Sequence, residues 1–197
     1  MHYEIDLNDI SEYNTHKTRL NPQSSALLVI EMQEVFRSTM ELISEKQITN
    51  VNALIKFATQ NGVKIIYVRH NDSAPDSAHM INWWSGDKLE YGSNEWQIIK
   101  ELDYSNQTVI DKNQYSAFFN TNLDDILKSN NITDVIISGV MTNCCCETAA
   151  RDAFMRGYNV FFVSDATATI NAELHLSAIR NLSFGFANVI NTNNLNT

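Results

Sequence analysis

The segment Asp134-Val135-Ile136-Ile137-Ser138-Gly139-Val140-Met141-Thr142-Asn143-Cys144-Cys145-Cys146-Glu147-Thr148-Ala149-Ala150-Arg151-Asp152-Ala153-Phe154 divides into a strand, a turn and a helix. Its opening residues form a short run rich in β-branched side chains and bounded by Gly139, the pattern of a buried strand that ends in a turn. Beyond the turn, Ala149, Ala150, Ala153 and Phe154 recur at helical spacing, with Arg156 in the last turn and Gly157 as the stop. All three cysteines of the chain therefore stand at a strand-to-helix junction. A helix N-terminus gathers unpaired N–H groups and the positive end of the dipole, both of which favour a thiolate, so this is where a nucleophilic cysteine would be placed. The competing reading is that cysteine is a small hydrophobe. Three in a row cannot all face one way, so packing accounts for one or two of them.

The same alternation extends outward through the chain. Residues 26–30, 63–68, 107–110, 135–138, 159–163 and 187–190 are continuous apolar runs, interleaved with helical stretches near 45–60, 123–129 and 172–184. Strands without polar alternation are covered on both faces, which predicts an α/β fold: three layers, α/β/α, around a doubly wound, mostly parallel six-stranded sheet. Residues 1–23, polar and containing Asn21-Pro22, read as an arm. Residues 24–190 read as one domain, and the Asn-rich 191–197 as a polar tail. The long segment from Arg69 to Ser93 has the length of a functional or lid-like loop.

With 197 residues and 44% hydrophobic content, the chain can build one sizeable core and is short for two. A net charge of −9, with no clustered lysine or arginine, argues against nucleic acid or an anionic membrane as partner. No stretch has the length of a membrane span, and the first residues lack a signal-peptide pattern. Contiguous cysteines bridge one another only with strain, so they form no disulfide framework, and a reducing cytoplasm is the expected compartment. There is no Cys-x-x-Cys or His-x-x-x-His pair of the kind that builds a structural zinc site.

Ligands of open α/β sheets bind beyond the carboxyl ends of the strands. Three residues qualify there: Glu31 after the first strand, Lys112 after the third and Cys145 after the fourth. Together they form a coherent set, since a thiol must lose its proton to attack, a carboxylate can accept it, and an ammonium favours the thiolate.

These segments resemble the isochorismatase-like cysteine hydrolases, a superfamily that includes nicotinamidases, N-carbamoylsarcosine amidase and isochorismatase. Residues 26–36 are similar to an apolar strand followed by Asp-Met-Gln and a nearby Phe, with Glu31 in the place of Asp. Residues 112–118 are similar to a Lys-x-x-x-Ser-Ala-Phe loop, residues 139–145 to a Gly-Val-x-Thr-x-x-Cys turn, and residues 163–169 extend the match. The resemblance implies Cys145 as nucleophile, Lys112 as the lysine of the triad, and Glu31 in the general-base position. It also implies a cis peptide between Val140 and Met141 and an oxyanion hole from the backbone N–H groups of Met141 and Cys145. Cys144 and Cys146 then revert to packing.

A thiol at position 145 points to amide hydrolysis through a thioester. Isochorismatase-type vinyl-ether hydrolysis with Glu31 as acid is the alternative, as is a weakened, ligand-binding relative in which Glu31 is one methylene too long. Phe36, Trp83, Trp84, Tyr115 and Phe118 stand on segments that can wall a crevice for a small substrate. No cofactor is expected. Nicotinamidases bind a metal after the second strand, and His70, Asp72 and His79 are the matching, out-of-order donor candidates here. Family members assemble as homo-oligomers, and the same is expected of this chain.

Overall fold

The computed structural model describes residues 6–16, 18–84, 86 and 88–195. Residues 1–5 and Lys17 of the expected arm, and Asn196 and Thr197 of the expected tail, lie outside the described residues. Six strands, β1 Ser25–Ile30, β2 Lys64–His70, β3 Thr108–Lys112, β4 Asp134–Val140, β5 Asn159–Ala168 and β6 Asn188–Ile190, form one sheet in the order β3-β2-β1-β4-β5-β6. Every neighbouring pair is parallel. Five helices accompany it among the described residues: α1 Glu45–Asn61, α2 Ala78–Trp84, α3 Leu123–Ser129, α4 Glu147–Met155 and α5 Ala172–Gly185. The three-layer, doubly wound expectation holds, with the sheet wholly parallel.

The strands read as unbroken apolar runs because both faces are covered. Leu28, Ile30, Val68 and Ile137 pack against Leu123 and Leu127 of α3, Ala149 and Ala153 of α4, and Ile179 and Leu182 of α5. Their sequence neighbours Leu27, Val29, Tyr67 and Ile136 point the other way, onto Ile48, Val51, Leu54 and Ala58 of α1 and onto Ile98, Ile99 and Leu102. Full burial of each such side chain contributes roughly 1.5–3 kcal/mol, so the two half-cores clamp the sheet from both sides. Helix ends follow their local chemistry. Ser44 caps α1 by accepting the Gln47 amide at 3.2 Å, and Gly62 ends that helix at φ 71°, where a side chain would be strained.

β5 runs on to Ala168, past the expected end at Val163, because its polar residues find partners inside the fold. The Asp165 carboxylate accepts the Thr192 amide at 2.8 Å and the Thr192 hydroxyl at 2.6 Å, while the Thr167 hydroxyl donates to the Ser164 carbonyl at 3.1 Å. A register shift between Ile137 and Gly139 absorbs the extra length. The described part of the arm is more than a lead-in. Ile10, on a short 3₁₀ turn, is fully buried, and the Asn14 side-chain amide pairs with both the carbonyl and the N–H of Val189, covering the open edge of β6. In the tail, Thr192–Asn194 form a single turn and Leu195 is buried. The order of strands reverses between β1 and β4, and a crevice opens over their carboxyl ends.

Candidate active site

β1 leaves the sheet through Glu31, whose φ of 51° lies in the left-handed region. A non-glycine residue held there costs about 1–3 kcal/mol, offset here by two short backbone bonds: Glu31 N–H to Val68 at 2.8 Å and Gln33 N–H to Glu31 at 2.7 Å. The fully buried Gln33 locks the turn. Its side-chain NH₂ donates to the carbonyls of His70 (3.0 Å) and Trp96 (2.8 Å), and its side-chain oxygen accepts the His70 N–H at 2.7 Å. The exit of β1 is thereby fixed to the end of β2 and to the 93–98 loop.

β3 ends on Lys112, which pairs in register with His70. Its buried ammonium is ion-paired with the Glu31 carboxylate, donates to the Gln114 carbonyl at 2.6 Å and lies 3.7 Å from the Cys145 sulfur. From the other side, β4 comes close enough to β1 only because position 139 is glycine. A β-carbon on Gly139, at φ 116°, would sit 1.9 Å from the Ile30 carbonyl oxygen, immediately before Glu31. The peptide bond between Val140 and Met141 is cis. Thr142–Cys146 then form a wide π-helical turn ahead of α4. That turn is held by Thr142 against His175 of α5 (2.8 Å) and by the Thr169 hydroxyl donating to the Asn143 side chain (2.6 Å). Glu31, Lys112 and Cys145, from the ends of three strands, converge on one point.

The electrostatics correct the expected thiolate. Burial pushes the Cys145 thiol well above its usual range, the charge of Glu31 adds to this, and Lys112 opposes it. The resting sulfur is a thiol, because a buried anion beside a carboxylate costs more than the end of a helix returns. Burial works against the charge of Lys112, yet its anionic surroundings, the sulfur of Cys145 whenever it is ionised and the Glu31 carboxylate, outweigh it and raise its pKa, so the ammonium persists. The neighbouring cysteines differ from each other. Cys146 is fully buried and packs beneath the turn, as expected. Cys144 is half-buried, with its thiol raised to about 11 by burial and then by Glu31, and it borders the cavity as well as packing.

A cavity of about 740 Å³ opens above the triad. Of the five aromatic residues expected to wall it, Phe36, Trp84 and Tyr115 do. Trp83 and Phe118 do not. Trp83 is adjacent to Trp84 on α2, so it faces away and is 69% exposed. Phe118 is drawn into the core, where it stacks on Tyr158. The Trp84 indole N–H donates to the Tyr115 hydroxyl at 3.1 Å, which fixes two rings of the wall together. Of the metal-donor candidates, His70 and Asp72 pair at 2.9 Å beside the cavity while His79 is exposed on α2. No group of three His, Cys, Asp or Glu residues with metal-binding geometry occurs among the described residues.

Three supporting contacts escaped sequence reasoning. The role of Gln33 was signalled only by its place next to Glu31-Met32. The Ser116 hydroxyl donates to Asp152 of α4 at 2.6 Å and accepts the Phe118 N–H at 3.1 Å, tying the lysine loop to the cysteine-bearing helix. For His175 the sequence offers no signal, since a single histidine in a helix has no pattern to betray its partner.

The isochorismatase domain family model matches residues 25–194. Nicotinamidase 3 of Arabidopsis thaliana is 39% identical over 188 residues, 93% of each chain. Among solved structures, a cysteine hydrolase from Pseudomonas syringae pv. phaseolicola superposes with a TM-score of 0.83 at 26% identity, covering 90% of this chain and 92% of the other. N-carbamoylsarcosine amidase from Thermoplasma acidophilum gives 0.75 at 26% identity, covering 88% and 99%. A family model that covers most of the chain and a relative 39% identical over 93% of it show that the chain belongs to the isochorismatase family.

Proposed function

We propose that the protein is a cysteine amidase that hydrolyses the C–N bond of a small amide through a thioester on Cys145. One observation carries the reading: a buried ammonium, Lys112, touches both the Glu31 carboxylate and the Cys145 sulfur at the floor of a substrate-sized cavity. Relatives named for nicotinamidase and N-carbamoylsarcosine amidase activity support C–N cleavage as the reaction class.

In the reaction, the Cys145 thiol passes its proton to Glu31 as the sulfur attacks the amide carbon. The charge moves onto the carbonyl oxygen, which the backbone N–H groups of Met141 and Cys145 receive, and Lys112 balances the anionic sulfur on the way. Glu31, now a carboxylic acid, protonates the departing nitrogen. The C–N bond breaks, the amine leaves, and an acyl-thioester remains. Glu31 then takes a proton from water, the hydroxide adds to the thioester, and the acid is released as the thiol re-forms. The raised thiol pKa fits this order of events, because deprotonation is coupled to attack and a standing thiolate is not required. With its extra methylene, Glu31 still holds its carboxylate in contact with Lys112. A reducing cytoplasm, in which free thiols persist, and a homo-oligomeric assembly complete the reading.

Screening small amides for released ammonia or amine tests it. Cys145→Ala is expected to abolish turnover while leaving the fold intact. Full activity of that variant, or hydrolysis of isochorismate that survives it, overturns the thioester route.

A further inference from the structure

The proposed reaction asks more of the turn after β4 than a place for the sulfur. The Met141 and Cys145 N–H groups that receive the carbonyl oxygen stand on that turn, and both residues line the cavity. Such donors are effective only when they are aimed in advance at the position the oxygen takes as charge develops on it. Their aim is set by how the turn is held from behind.

Thr142 lies between the two donors in the chain and turns the other way. It is fully buried and absent from the cavity lining, and its hydroxyl shares a 2.8 Å hydrogen bond with Nδ1 of His175. His175 is itself buried, one turn into α5, where its backbone N–H donates to the Asn171 carbonyl at 3.2 Å. The Asn171 side chain caps the helix by accepting the Leu174 N–H at 2.8 Å, and Ile179 and Leu182 sink the same helix into the core. The ring is thus presented from a fixed base, on a helix that contributes no described residue to the cavity lining. The other ties of the turn lie within it or further along: the Met141 carbonyl accepts the Cys144 and Cys146 N–H groups, both at 3.1 Å, and Asn143 is held by Thr169.

We infer that His175 is a positioning residue for the reaction: through Thr142 it keeps the Met141 and Cys145 N–H groups trained on the developing oxyanion. Its loss slows acyl transfer without weakening substrate binding or changing the reactivity of the thiol. The inference rests on the amidase reading, whose carbonyl oxygen these two groups serve. A ring that only filled space would be replaced without catalytic loss by a side chain of similar volume. A ring that acts through its nitrogen cannot be, because a buried hydroxyl deprived of its partner turns toward another, and the backbone that carries it follows.

Two reagents separate the sulfur from the hole. Iodoacetamide is attacked at a saturated carbon and puts no charge on an oxygen in the hole, so its rate at Cys145, read by peptide mass spectrometry, reports the sulfur alone. Propanal adds to Cys145 as a hemithioacetal: the S–C bond forms, the C=O π pair moves onto oxygen and the thiol proton ends there, so its oxygen occupies the place the donors face. In His175→Leu, kcat on an amide that the wild type hydrolyses is expected to fall about thirtyfold with KM within about twofold, less than the roughly hundred- to thousandfold effect of removing a donor outright. Protection of Cys145 by propanal then needs about ten times the concentration, while the iodoacetamide rate stays within about twofold of wild type. His175→Asn, whose side-chain oxygen stands where Nδ1 stood, recovers kcat and protection to within about threefold. Thr142→Val removes the same bond from its other end and matches His175→Leu, and the double variant is no worse than either single one. Thr142→Val carries the test by itself if His175→Leu does not fold. Wild-type kcat in a folded His175→Leu, a loss that His175→Asn does not recover, an iodoacetamide rate that falls in step with kcat, or losses that multiply in the double variant overturn the inference. Propanal protection that depends on His175 while no amide is hydrolysed counts against the amidase reading alone. Amide hydrolysis that His175→Leu leaves untouched counts against the positioning role alone.

Discussion

The floor and the wall of the cavity are built on different principles. The floor is made of strand ends and the turn that follows one of them: Glu31, Lys112 and Cys145 are all nearly inaccessible, with Lys112 closing a parallel ladder, Glu31 directly after another and Cys145 on the buried turn beyond β4. The wall is made of a short helix and loops between residues 70 and 95, where Trp84 is 48% exposed and Glu90 and Glu95 face solvent. A buried strand end has few places to go, so what it carries can be foreseen from the strand alone. A loop residue takes its direction from contacts far away in sequence. Chemistry belongs on the rigid part and selection on the adaptable one.

The comparison breaks first at Gly139. Gly139→Ala puts a methyl group inside the Ile30 carbonyl and is expected to destabilise the protein by more than about 4 kcal/mol, visible as a collapsed melting temperature or loss of soluble protein. A variant that melts with the wild type would show that the floor is less rigid than described. Next is Lys112→Met, which leaves the Glu31 carboxylate buried without its counter-charge. A stability loss of about 3–5 kcal/mol is expected from urea unfolding. The thiol of Cys145 also loses the group that opposes its upward shift, so its alkylation at pH 8 slows further relative to wild type. Faster alkylation would contradict the assigned role of the ammonium.

Shortening the acid is a finer test. Glu31→Asp restores the residue usual in the family yet withdraws the carboxylate from its contact with Lys112. A fall in kcat of roughly ten- to a hundredfold is expected, since a displacement of about 1 Å has that effect. A rise in kcat would mean that the longer acid is not what the site requires. The wall gives the smallest effects. Trp84→Ala is expected to raise KM about tenfold with kcat little changed, the mark of lost ground-state binding. Trp83→Ala, one residue away and facing solvent, should stay within about 0.5 kcal/mol of wild type in stability and leave KM unmoved.

That pair also shows how far the sequence could be read. The alternation of apolar runs with helical stretches foretold the sheet and its layers, and the polar residues at three strand ends foretold which side chains meet. Those inferences work because burial on both faces and the reversal of strand order between β1 and β4 leave little freedom. Trp83 and Phe118 were misplaced for the opposite reason. Which of two adjacent tryptophans turns inward depends on the Tyr115 hydroxyl, and Phe118 follows Tyr158, forty residues away in the chain. The polar extension of β5 was hidden because Asp165 and Ser164 look like turn residues until their partners at Thr192 and Asn191 are known. The protonation of Cys145 was likewise beyond reach. Position at a helix start argues for a thiolate, and only the depth of burial and the presence of Glu31 reverse the sign.

The central claim is that Cys145 carries the acyl group. Acid quenching of the enzyme during turnover of an active amide, followed by intact-mass and peptide mass spectrometry, tests it most directly. The account predicts an adduct with the mass of the acyl part on Cys145, absent from Cys144 and Cys146, cleared by hydroxylamine and missing in Cys145→Ala, which does not turn over. Turnover that persists in Cys145→Ala, or an adduct that forms on Cys144 instead, would contradict it.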